Sequence, residues 1–261
     1  MIFFSAAVAL PPWCQVQLAT SPTAFSPTAQ SITPKSGFQL SIPFGITTGF
    51  ILPLVTAAIL SPAVASGRVE KAFGAQLAVL LIPVFPILVS VAQRVAGRFS
   101  GAKTQNRRDT ESRSSLRSFY SLAITISAVP HLIAMTLSIL SLTNSSLLRP
   151  DLVRAFNPKV WLFPTFSLTP VSSVAEGAMR FLQWDECISS AAIVTWAVLL
   201  RCGINGEEGL RGKRGVNPMK VGLKAAALSV LLGPAGAAAW LVWERDMKVL
   251  DRNDQGERKE K

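Results

Sequence analysis

FLQWDECISSAAIVTWAVLLRC, residues Phe181–Cys202, opens with adjacent carboxylates, Asp185 and Glu186, and then runs without a charge until Arg201. Its apolar residues recur at helical spacing over a length no strand reaches, so it reads as a helix. Extended back to Ser173, the segment from 173 to 201 supplies the ~20 residues that a helix needs to cross a bilayer core. Two acids inside such a helix are costly, and their position decides both topology and chemistry.

The rest of the chain repeats the pattern. Of 261 residues, 49% are apolar and 16% are charged, and the mean hydropathy is positive. Further apolar segments run from 44 to 66, 72 to 92, 117 to 141 and 221 to 243, the last interrupted by Lys224. The expected fold is all-α: a polytopic transmembrane helical bundle of about five spanning helices over 44–243. A flexible Ser/Thr/Pro-rich leader is expected over 1–43, because that composition cannot bury a core, and a charged, solvated tail over 244–261.

A net charge of +11 would suggest nucleic acid in a soluble chain. Here the basic residues sit between apolar runs, as orientation signals do, and nucleic acid is excluded as a partner. The link 93–115 carries six basic residues against two acids, and the link 202–220 carries four basic residues. Both are placed on the cytosolic side, which puts Gly67–Lys71, 142–172 and the C-terminus on the other. The sequon Asn144-Ser145-Ser146 falls in one of those non-cytosolic links and makes Asn144 a candidate glycosylation site in a secretory membrane, expected to be the endoplasmic reticulum. Membrane lipid is the expected surrounding partner.

This topology sets depths. Asp185 comes about 18 Å along a helix begun at Ser173, and His131, the single histidine, about 21 Å along a helix begun at Arg117. The two are therefore expected at similar depth, with Pro130 freeing a carbonyl that a neighbour or His131 must satisfy. Asp185, Ser189, Ala192 and Trp196 share one helix face, and Glu186 points about 100° away. Glu176 and Arg180, four apart, can pair. Alternatively the span begins after Glu186, with Trp184 as an interfacial anchor and both acids wet. In the last segment Gly233, Pro234 and Gly236 allow close helix approach, and Trp240 and Trp243 stand near Glu244 at its far end. Gln76 adds a polar group to the same half. Cys14, Cys187 and Cys202 have no metal-ligand spacing and imply neither disulfide nor zinc.

Soluble-enzyme signatures are absent from the sequence: it has no GxSxG, P-loop, Rossmann or HExxH motif, and one histidine cannot build a multi-histidine metal centre. An acid among aromatics in a water-poor bundle suits one cofactor-free chemistry. It protonates an epoxide or alkene of a polyprenyl chain and holds the cation against aromatic faces.

The stretches GFILPLVTAAILSP from Gly49, AQLAVLLIPVFPILVSV from Ala75, FYSLAITISAVPHLIAMTLS from Phe119, FLQWDECISSAAIVTWA from Phe181 and LLGPAGAAAWLVWERD from Leu231 resemble, in order, the small fungal integral-membrane terpene cyclases of meroterpenoid pathways. The resemblance is particularly to the group associated with ascofuranone-type and macrophorin-type products. The resemblance implies a metal-independent, isomerase-type cyclase without cofactor, acting on a polyprenylated intermediate of secondary metabolism. It implies Asp185 as proton donor, His131 and Glu244 as groups that orient or accept protons, and Trp184, Trp196 and Trp240 as aromatic walls. That family carries more spanning helices than the five counted here. The competing reading is a non-enzymatic membrane protein, an accessory scaffold or a small transporter-like component, which would have no need of acids and aromatics gathered at one depth.

Overall fold

The computed structural model describes residues 6–33, 44, 46–52, 55, 56, 91, 94, 95, 105–161, 163, 164, 166, 171, 174–203 and 217–259. Among them regular structure is helical throughout, with no strand. The chain divides into two compact units, one of Met1–Ile32 with Ala123–Lys261 and the other of Thr33–Leu122. In the second unit, Thr47–Ile51 forms a π-helical turn, and Thr48 returns its hydroxyl to the Phe44 carbonyl at 2.7 Å. The expected segment 72–92 and Gln76 lie almost wholly outside the described residues.

The first unit is built on long helices with short turns between them. Helix α1 covers Ala6–Thr20 and is followed by the short turns α2, Pro22–Phe25, and α3, Ala29–Ile32. Composition suggests loose chain here. The reason for the difference is tertiary: α1 packs along the helix that contains Asp185, and Cys14 is buried. Helix α4 covers Gln105–Thr143, with Pro130 inside it, and enters this unit from Ala123 onward. A short 3-10 turn, Ser145–Leu147, leads to α5, Pro150–Ala155, and α6, Pro158–Trp161. Both begin on a proline, whose fixed φ suits a first helical position. Ser141 of α4 donates to the Phe156 carbonyl at the end of α5, at 3.3 Å. Helix α7, Val174–Cys202, is the expected helix around the two acids. Glu176 and Arg180 pair in its first turns at 2.6 Å, as their spacing predicts.

Helix α8, Pro218–Lys259, departs from expectation. It starts where Asn217 caps the Met219 amide at 2.9 Å and Pro218 fills the next position, a standard start signal. At Gly233 the backbone leaves the helix, with φ 75° and ψ 162°, a region open to glycine and strained for other residues. The chain reverses its direction there, well beyond a bend. In a straight helix, positions twenty apart stand about 30 Å from each other. Here Lys224 Nζ lies 2.7 Å from Glu244 Oε2, across those twenty residues. The arms on either side of Gly233 therefore run antiparallel.

Their contact is made by small residues. Val221 and Ala225 of the first arm meet Ala238 and Leu241 of the second, with Ala197 of α7 closing the cluster. Alanines let the backbones approach closely, and α7 against α8 is the largest packing in the unit.

Two stretches among the described residues, Arg113–Thr143 and Pro218–Asp251, are long and apolar enough to cross a bilayer by length and composition. Of the about five expected spanning helices, these two are the candidates among the described residues. The segment 72–92 is outside the described residues, apart from Val91, and 44–66 is described only over part of its start. Helix α7 carries Glu176, Arg180, Asp185 and Glu186 in its first half, too many charges for an apolar window. The last apolar segment is also not one straight helix, so Glu244 is not at the far end from Lys224.

Candidate functional site

Asp185 sits at the start of α1. Its Oδ1 accepts the Ala7 amide at 2.7 Å, one of the first-turn donors that a helix leaves without an internal partner. A carboxylate there also faces the positive end of the helix dipole. Eleven residues further along α7, Trp196 donates its indole N–H to Gln17 Oε1 at 2.6 Å and lies 6.0 Å from the Trp13 ring. Because Ala7 and Gln17 are ten residues apart on α1, the two helices run in the same direction. Asp185 and Trp196 share the face that α1 covers, as helical spacing predicts. Glu186 points elsewhere: it is exposed and accepts from Ser190 Oγ at 2.8 Å.

Trp184, next to Asp185, meets Phe166 edge to face with centroids 4.8 Å apart. Gln183, one residue earlier, is buried and donates to the Val160 carbonyl of α6. Asp185 is half-buried, and the contact its carboxyl makes is with the start of α1.

His131 is at a different place, where α4 meets the break in α8. Its Nε2 lies 2.9 Å from the Val230 carbonyl. A carbonyl only accepts, so Nε2 carries the proton. In an unbroken helix that carbonyl would receive the amide of residue 234, which is proline and has none. His131 replaces the missing donor. Ser127, one turn earlier on α4, donates to the Leu232 carbonyl at 3.2 Å. A Cβ placed on Gly233 would stand 3.2 Å from His131 Cγ and 3.3 Å from Nδ1, so histidine and glycine are packed in contact.

Glu244 anchors a third cluster, at the open end of the α8 arms. Arg201 of α7 reaches it at 3.3 Å, Lys224 of the first arm at 2.7 Å and Lys248 of the second at 3.6 Å. Three cations around one carboxylate match its ionised form and leave an excess of positive charge among the described residues there. Trp240, one turn before Glu244, packs edge to face on Trp243 at 5.4 Å. Neighbouring Arg245 turns the other way, toward the Thr23 carbonyl of α2 at 2.6 Å.

The residues singled out in the sequence therefore fall into three neighbourhoods. Asp185 and Trp196 lie along the α1–α7 seam, while Trp184 turns away from it to Phe166. His131 joins α4 to the α8 break, and Glu244 with Trp240 lies on the second arm. Ala7 and Gln17, the partners on α1, were not legible beforehand, since the leader's composition carries no helix signal. Arg201 and Lys224 were visible as charges but not as partners of Glu244. The one available signal was the Gly-Pro pair at 233–234, which marks a helix stop. Asn144 is exposed, and its Oδ1 accepts from Ser146 Oγ at 2.8 Å. Among the described residues no three His, Cys, Asp or Glu side chains are grouped to hold a metal ion.

Residues 1–250 match the model of a family described as the CtvD domain. The terpene cyclase ascI of Acremonium egyptiacum is 28% identical over 266 residues, covering 98% of this chain and 63% of that protein. The terpene cyclase ctvD of Aspergillus terreus is 26% identical over 242 residues, covering 91% and 63%. The terpene cyclase sdgD of Emericella nidulans is 28% identical over 244 residues, covering 93% and 59%. The chain thus spans about 63% of the length of the first two of these relatives. No solved structure matches it.

Proposed function

The chain belongs to the CtvD domain family, and on that footing we propose that it is a membrane-bound terpene cyclase of fungal meroterpenoid biosynthesis, acting on a polyprenylated intermediate by acid-initiated carbocation cyclisation. The observation that carries the reading is the family match over 1–250 together with relatives named terpene cyclases along 98% and 91% of the chain. Asp185 is the proposed proton donor. The Ala7 amide fixes Oδ1, which orients the carboxyl and leaves Oδ2 to hold and deliver the proton. The Trp184 ring, one residue before it in sequence, and the Phe166 ring packed on Trp184 are proposed to offer π faces that stabilise a cation by about 0.5–2 kcal/mol each. Trp196 and Trp240 are proposed as further walls, and His131 and Glu244 as groups that orient or accept protons. His131 with Nε2 protonated would accept at Nδ1, and Glu244 as a carboxylate accepts directly. We place the protein in the endoplasmic reticulum membrane, with Asn144 as a glycan acceptor.

The test is cyclisation of a farnesylated phenolic epoxide by microsomes containing the chain, with Asp185→Asn beside wild type. Asparagine keeps the acceptor for Ala7 and removes the acid. Product should fall by at least ~100-fold, within the range for loss of a general acid, with thermal stability unchanged. Equal product from both proteins removes Asp185 from the mechanism. No product from either favours a scaffold.

A further inference from the structure

We propose that α8 is a re-entrant hairpin that enters and leaves the bilayer through the same face, seated in one leaflet and held there by lipid phosphates bound to a collar of Arg201, Lys224 and Lys248. The proposal rests on the reading of the chain as a membrane protein and adds its topology and its lipid partner. Four observations converge on it.

The first is the reversal at Gly233, which returns the second arm to the level of the first, as the 2.7 Å pair between Lys224 and Glu244 requires. The second is length. From that pair to Pro234 the first arm has ten residues, about 15 Å, half of a hydrocarbon core of about 30 Å. The arms reach the middle of a bilayer and do not cross it.

The third is the distribution of polarity. Towards the tip, Val230 and Leu231 are 63% and 59% exposed, and Leu223 on the first arm is 74% exposed. A water-facing hairpin would not present them. At the open end the three cations surround Glu244, and one carboxylate cannot neutralise all three. The Arg201 side chain is only 9% exposed and spends one long hydrogen bond, 3.3 Å, on Glu244, out of the five donors a guanidinium has. Phosphate oxygens suit the remaining donors in geometry and charge.

The fourth observation is the tip itself. Irregular backbone at membrane depth persists only where protein satisfies it. Two carbonyls at the break, those of Val230 and Leu232, are met by His131 and Ser127 of α4. The seat for a buried turn is therefore built into the neighbouring helix. The proposed consequence is that the C-terminal tail shares a face with the 202–220 link.

The experiment uses the full chain in sealed microsomes, with Cys14, Cys187 and Cys202 replaced by alanine and single cysteines introduced as Met219→Cys, Leu231→Cys or Asp251→Cys. A membrane-impermeant maleimide should label positions 219 and 251 from one and the same side, and position 231 only after detergent. Labelling of 219 and 251 from opposite sides, or of 231 in sealed vesicles, overturns the hairpin. Release of the chain by alkaline carbonate defeats the membrane reading itself, and the proposal with it. The collar has its own readout, lipid retained by the purified chain in native mass spectrometry from micelles doped with phosphatidylserine and phosphatidylcholine. Wild type should prefer the anionic lipid at least threefold, and Lys224→Gln/Lys248→Gln should lose the preference. Equal retention of both lipids by wild type overturns the collar while leaving the hairpin to the labelling result.

Discussion

Proline at 234 deprives the Val230 carbonyl of its usual donor, and one imidazole N–H from another helix replaces it. This gives His131 a structural task that can be tested apart from any proton transfer. His131→Ala should lower the unfolding free energy of the purified chain by about 1 kcal/mol, the net worth of a typical hydrogen bond. His131→Gln, which keeps a donor at similar reach, should recover part of the loss in thermal melts. Gly233 is the stricter position. Alanine there would need a strained φ and would press its Cβ on the imidazole, so Gly233→Ala should cost about 1–3 kcal/mol and open the reversal. Reduced protection of the 218–251 amides in hydrogen exchange would register it. The sequence marks both positions as unusual, a lone histidine after a proline and a Gly-Pro pair. It does not say that they touch, because they are about a hundred residues apart.

Helix α7 and the apolar part of α4 were readable from their apolar runs, 173–201 and 117–141. But α4 begins at Gln105, inside the expected basic link, where charged residues carry no such signal. Helix α1 was not readable, because two prolines and many small polar residues remove the local signal and its helicity depends on packing against α7. The Gln17–Trp196 bond measures that dependence. A double-mutant cycle with Gln17→Leu and Trp196→Phe should give a coupling of about 1 kcal/mol, and additive effects would mean that the pair does not hold the seam. At the open end of the α8 arms, Glu244 pairs with three cations among the described residues, one of them from α7. Glu244→Gln leaves those cations to repel one another and should destabilise more than Lys224→Gln, which leaves two ion pairs in place. Chemical denaturation of the two variants under one set of conditions ranks them, and raised salt should narrow the difference by screening.

For the molecule as a whole, composition and hydropathy determined that the chain is helical and apolar. The helical period of 3.6 residues also put Asp185 and Trp196 on one face, whatever surrounds them, and the structure lays α1 on that face. Deleting residues 1–20 uncovers that face and should both lower the melting temperature and reduce cyclised product, whereas a seam without a role in the reaction would affect the first alone. Only the tertiary structure decided that the last apolar segment turns back, what stands beside Asp185, and which charges Glu244 gathers. Hydropathy is a sum along the chain and is blind to direction. The direction at Gly233 is set by contacts between residues distant in sequence, Ala197 against Val221, Ala225, Ala238 and Leu241 on one side of the arms and His131 with Ser127 at their tip.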